Sequence, residues 1–232
     1  MPTKKKSLVL TPQQVSKEIK RRNSLFKNAT KAERRVMIAE DVIQQIKAKK
    51  FIPTSGVFAT SDVISSLEGG SDDDRSIREI LLSTNATCDC CALGGMMLSC
   101  TLFNNKENVS DWTDHFENLG VSVEESDSRI KNGFKQIFSK SQLELIEIAF
   151  ETGDGYNCFD HEYVKKHTDG RLYLDYYDDG FNEDNVLSKP EIKKYYAVQF
   201  GKKYESDDDR MIAIMKNIIK NKGEFNPKPG KI

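Results

Sequence analysis

The sequence predicts a mainly α-helical domain with a minor β element, an α+β arrangement in which helices dominate, and three observations lead there. Several segments space apolar residues three and four apart behind a Ser or Thr that is followed three residues later by Glu or Gln, the pattern of a capped amphipathic helix. Residues 88–103 are almost uncharged after Asp89 and apolar on every side of a helical wheel, which predicts a central helix buried all round. β-Forming residues cluster only at Phe51–Phe58 and Arg171–Tyr177. The whole is expected to be a compact multi-helix domain around the 88–103 helix, with a small β element near 171–177.

Taken in order, Thr11, Pro12 and Gln14 form a helix start, and Val15, Ile19 and Phe26 give that helix a thin apolar stripe suited to the edge of the fold. Thr30 and Glu33 open a second helix, whose buried face is Val36, Ala39, Val42, Ile43 and Ile46. Phe51–Phe58, with Pro53 and Gly56, predicts a short strand or extended loop. Residues 69–74 make a turn, and Ile77, Ile80 and Leu81 a short helix. In the central run Thr87 is the expected cap, Asn104 and Asn105 the end, and Gly94 and Gly95 imply close approach of another backbone, because each costs roughly 1 kcal/mol of helix propensity.

Further on, Ser110 with Trp112, Phe116 and Leu119, and then Ile130, Phe134 and Ile137, suggest helical stretches. Ser139 with Gln142, or Ser141 with Glu144, starts a clear helix carrying Leu143, Ile146, Ala149 and Phe150. Residues 152–185 are rich in Gly and Asp and hold a hairpin or lone strand at 171–177. Ser188 and Glu191 cap a helix bearing Ile192, Tyr195, Tyr196 and Phe200. Ser206 caps the last, with Asp207, Asp208 and Asp209 on its positive end, Met211, Met215, Ile218 and Ile219 as its buried stripe, and Gly223 as its stop.

Composition narrows the function classes. With 38% apolar and 31% charged residues in a chain of 232, the surface is heavily charged. No run of 18 apolar residues exists and Met1–Lys6 lacks the apolar stretch of a signal peptide, so no membrane association and a cytoplasmic location are expected. Five cysteines, an odd number with four crowded together, read as reduced intracellular thiols. Residues 1–35 carry eleven positive charges against two negative; this net +9 leaves −10 on residues 36–232 of a chain whose total is −1. The division expected is a basic N-terminal helix or arm, residues 1–28, beside one helical domain, residues 29–232. A nucleic-acid contact through residues 4–35 is an alternative, weakened because no aromatic residues interleave the basic ones. The simpler reading is a basic helix folded against an acidic body.

Two constellations carry chemistry. Cys88 with Cys91, and Cys158 with His161, make C-x-x-C and C-x-x-H pairs that together supply four ligands suited to a structural zinc. One C-x-x-C is a weak signal and Cys90 complicates a simple knuckle, so burial of Cys88, Cys90, Cys91 and Cys100 as small hydrophobes weighs against the metal. Cysteine catalysis is the second: a thiol at a helix start, with His161 or His167 as base, would suit a hydrolase. His115 falls among polar neighbours. No phosphate-binding glycine loop follows Gly94–Gly95, and the acidic run from Asp175 lacks the ligand pattern of a calcium loop.

Three blocks resemble a group of short hypothetical proteins from bacteria and their phages: Asp41–Phe58, Cys91–Gly95 and Arg210–Pro227. The resemblance spans residues 34–227 in ordered blocks and implies a phage or mobile-element origin; it carries over no catalytic residues. The expected function is therefore binding of a host macromolecule, most simply a host protein such as an effector or defence protein. Tyr173, Asp175 and Tyr177 are expected on the outer face of the 171–177 strand as the partner-binding residues, with Leu172, Leu174 and Tyr176 facing inward, because interfaces are enriched in tyrosine.

Overall fold

In a computed structural model of the chain, the residues described are 10–61, 77–104, 134, 136–151, 163–175, 177–178 and 180–228. They form seven α-helices and five short strands in two small sheets. The mainly helical expectation holds.

Helix α1 is Pro12–Asn28 and α2 is Lys31–Lys47; both begin with the predicted capping boxes, Thr11 with Gln14 and Thr30 with Glu33. Strands β1 (Phe51–Pro53) and β2 (Ala59–Thr60) follow, then helix α3 (Ile77–Ser83), strand β3 (Cys88–Cys90) and helix α4 (Ala92–Asn104). Next come α5 (Lys140–Phe150), the β4–β5 hairpin (Val164–Lys166 and Leu172–Leu174), α6 (Lys189–Gly201) and α7 (Asp207–Lys220). Ser139 caps α5 and Ser206 caps α7 as anticipated, and Gly223, with φ at +97°, stops the chain after α7.

The central helix is α4, shorter at its start than the sequence suggests. Cys88–Cys90 is a strand: β3 runs parallel to β1, pairing Phe51 with Cys88 and Pro53 with Cys90, and antiparallel to β2, so the sheet order is β1-β3-β2. Thr87 is therefore not the cap; Cys91 occupies that position, its Sγ 3.5 Å from the Gly94 N–H. A run of apolar residues reads alike as a buried helix or a buried strand, and here the pairing partners decide. The rest of α4 is shut away: Leu93, Met96, Leu98 and Leu102 are fully buried among α1, α2, α3 and α5. A Cβ on Gly94 would stand 1.5 Å from the Phe58 carbonyl oxygen, the close approach its presence implied.

Around this centre, α7 lies on α2 and α5, and α6 on α5. Met211 and Met215 are fully buried, as gap-filling core. Helix α1 docks on α4 through its stripe, Val15 and Phe26 buried and Ile19 partly so, with the Phe26 and Phe103 rings stacked at 5.3 Å. Of the moderate pattern before α5, Phe134 and Ile137 are buried. The expected turn at 69–74, the Ser110 helix and Ile130 lie outside the described residues.

Candidate functional site

The cysteine segment is built into the core. Cys88 and Cys90 alternate along β3 on one buried face, and Cys91 is buried at the start of α4. Burial pushes the Cys88 thiol up to about 11, against a bond to Ser61 that pulls it down, and pushes the Cys91 thiol up to about 12 despite its contact with the Gly94 N–H. A thiol at a helix start is ordinarily acidified; desolvation outweighs that here, and at neutral pH Cys91 holds its proton. His167 is engaged in the β4–β5 hairpin, its Nδ1 3.0 Å from an Asp169 oxygen and its ring stacked 3.9 Å from Phe181. His115 and His161 lie outside the described residues, as does Cys158, so the C-x-x-H half of the zinc pair is outside them too. Among the described residues no group of three or more His, Cys, Asp and Glu is placed to hold a metal.

The hairpin pairs Val164 with Leu174 and Lys166 with Leu172, confirming the β element near 171–177. Its side chains do not follow the simple alternation. Leu172 and Leu174 pack against the core, but Tyr173 lies edge-on to Phe181 at 5.2 Å, and Arg171 covers the same ring at 4.9 Å. Asp175 is buried rather than outward: the strand ends at Leu174, the Asp175 N–H donates to the Tyr163 carbonyl, and its carboxylate accepts the Gly180 N–H. Of the three residues expected to meet a partner, Tyr177 alone stands clear, 85% exposed. Tyr176 is outside the described residues.

Three of the N-terminal arginines are engaged within the fold. Arg22 donates to buried Asp41 at 2.8 Å and to Glu18 at 2.9 Å; Arg34 donates to the Phe26 and Lys27 carbonyls, and Arg35 to Ile137 O at 2.7 Å. Arg22 and Arg34 thus tie α1 to α2, and Arg35 ties α2 to the segment before α5. Lys4, Lys5 and Lys6 lie outside the described residues.

What sequence reasoning missed is a groove of about 830 Å³ where the end of α1, the first turns of α2 and the end of α7 meet. Its apolar wall is Leu25, Ala29, Ala32, Val36, Met37 and Ile219. Leu25 is 48% exposed, one of few large apolar side chains among the described residues so open to solvent. Gly223 makes the junction possible: a Cβ there would sit 2.7 Å from the Ala32 carbonyl oxygen, so only glycine lets the chain after α7 close on α2. Lys222 lines the groove and is exposed, and Lys27 and Lys31, also exposed, adjoin its lining residues Asn28, Thr30 and Ala32 in the chain; none of the three has an ion pair among the described residues. Glu33 also lines the groove, but its carboxylate accepts the Thr30 N–H and hydroxyl, both at 2.7 Å, which holds it below the usual carboxylate range and commits its charge to the α2 cap. The one sequence signal is Leu25 itself, an apolar residue off the Val15–Ile19–Phe26 stripe.

No protein-family model, curated protein or solved structure matches the chain. Among the described residues no helix is long and apolar enough to cross a membrane.

Proposed function

We propose that the protein is a non-enzymatic binding protein of phage or mobile-element type that acts in the host cytoplasm by occupying a surface of a host protein, and that the α1–α2–α7 groove is where it does so. The observation that carries this reading is the open apolar groove with lysines at its rim. An apolar channel between helices takes the apolar stripe of an amphipathic helix, anchored at positions three and four apart, and the cationic rim selects a helix whose flanks are acidic. Occupying such a segment would block whatever the host protein uses it for, and inhibition of an effector or defence protein is the consequence. Protonated, buried Cys91 supports a binding role over thiolate chemistry.

The test compares capture from bacterial lysate by the wild type, by Leu25→Glu and by Lys222→Glu, followed by binding of the captured protein's acidic helical segment as a synthetic peptide. The reading expects a discrete host protein retained by the wild type and lost by Leu25→Glu, with that peptide competing for it. Identical capture by wild type and Leu25→Glu, or a segment that is not acidic and helical, would overturn it.

A further inference from the structure

We propose that a second cleft, between the C-terminal half of α6 and the tail after α7, binds a nucleotide unit, free or as part of a single nucleic-acid strand. The cleft has a volume of about 450 Å³ and is walled by Tyr195, Tyr196, Gln199, Phe200 and Pro227. That volume falls within the range of small-ligand sites. Tyr195 and Tyr196 lie with ring centroids 5.6 Å apart, both half-exposed, and Phe200 is braced from behind by the edge-to-face ring of Phe225 at 5.3 Å. Rings held in place along a helix are stacking platforms for bases, which all present a flat π-face.

Two further observations give the aromatic wall its polar complement. The Gln199 Nε2 is shielded from solvent and has no hydrogen-bond partner among the described residues. A buried amide donor without an acceptor is costly, and because Gln199 lines the cleft, turning its amide outward would let Nε2 meet an acceptor on the edge of a bound base. Lys202 and Lys203, in the turn that ends α6, line the same cleft and are exposed. Their ammonium groups suit the sugar-borne phosphate of the same nucleotide.

Next to it a cleft of about 590 Å³ shares Phe200 and Lys203 and continues past Tyr204 to Lys216 and Lys220 on α7. Glu205 and Asp209 line this second cleft as well, but Asp209 accepts the Ser206 hydroxyl at 2.9 Å as part of the α7 cap. Four lysines thus follow the aromatic residues across both clefts, the basic and aromatic mixture that the N-terminal segment lacks. One nucleotide would fill the first cleft, and a strand would continue into the second.

Full-length protein is titrated against labelled oligothymidylate of about twelve nucleotides, labelled ATP, a duplex of the same length and inorganic polyphosphate, reading fluorescence anisotropy at low salt. Tyr196→Ala and the pair Lys202→Glu with Lys203→Glu are measured alongside, with thermal melts showing that each variant is folded. The expected result is saturable binding of the single strand or of ATP, stronger than binding of duplex and polyphosphate, weakened about ten-fold by either variant. A preference for the oligonucleotide over ATP identifies strand binding, and equal affinity identifies a mononucleotide. No binding of either, or binding that polyphosphate matches and Tyr196→Ala leaves unchanged, would overturn the proposal.

Discussion

Arg22 of α1 and Asp41 of α2 meet at 2.8 Å with both side chains shut away from water. Ser99 of α4 donates to the other Asp41 oxygen at 2.8 Å and Gln45 donates to the first at 3.2 Å, so one carboxylate joins three helices. The Arg22 guanidinium also lies 5.0 Å over the Phe103 ring. Removing one partner of such a pair strands the other in a low-dielectric interior. Asp41→Ala is expected to destabilise the protein by about 3–5 kcal/mol in denaturant titration, and Arg22→Met with Asp41→Leu by much less. A loss under about 1 kcal/mol for Asp41→Ala would mean the pair is not buried.

Residue 94 is a sharper probe of α4. Alanine in a helix is ordinarily favoured over glycine by about 1 kcal/mol. At position 94 its Cβ would overlap the Phe58 carbonyl oxygen at 1.5 Å, whereas at position 95 the nearest atom is Cys90 Sγ at 3.3 Å. Gly94→Ala should therefore lower the melting temperature strongly and Gly95→Ala only slightly. A stabilised Gly94→Ala would contradict the packing of the 54–58 loop on α4.

The buried thiols give a pH dependence whose sign follows from linkage. Cys88 and Cys91 have folded pKa values near 11 and 12, above the ordinary 9.0, so the folded state keeps protons that the unfolded chain loses. Their contribution is constant below pH 9 and turns against folding as pH rises from 9 toward 12, at up to about 1.4 kcal/mol per pH unit for each. The wild type should lose stability faster over that window than Cys88→Ser with Cys91→Ala. At pH 7 a thiol reagent should leave Cys88, Cys90 and Cys91 unmodified in the folded protein, as read by peptide mapping. Rapid labelling of Cys91 under those conditions would restore the case for a nucleophile.

Local signals were legible in the sequence and non-local ones were not. Thr30 with Glu33, Ser139 with Gln142 and Ser206 with Asp209 lie within one helical turn, so their spacing alone locates α2, α5 and α7. Cys88–Cys90 looks helical because its strand character comes from pairing with Phe51–Pro53 and Ala59–Thr60, which no local pattern records. No local pattern marks Asp41 as buried, because Arg22 and Ser99, which shut it in, are on other helices. Tyr195, Tyr196 and Phe200 are legible as residues of one helix, but not that they stay only partly buried, which depends on how far α5 covers α6. The groove joins α2 to residues far along the chain, and only exposed Leu25 hints at it.

The most direct test of the binding role is photo-crosslinking in bacterial cells, with a photoreactive amino acid placed at position 25 in one variant and at position 177 in another. Both side chains are exposed, Leu25 in the groove and Tyr177 just past the hairpin, so both reagents reach solvent while only one lies in the groove. A host protein crosslinked from position 25, absent from position 177 and competed away by unlabelled wild type but not by Lys222→Glu, is the predicted result. Crosslinks from position 177 alone, or none from either, would contradict the groove as the place where a host protein is held.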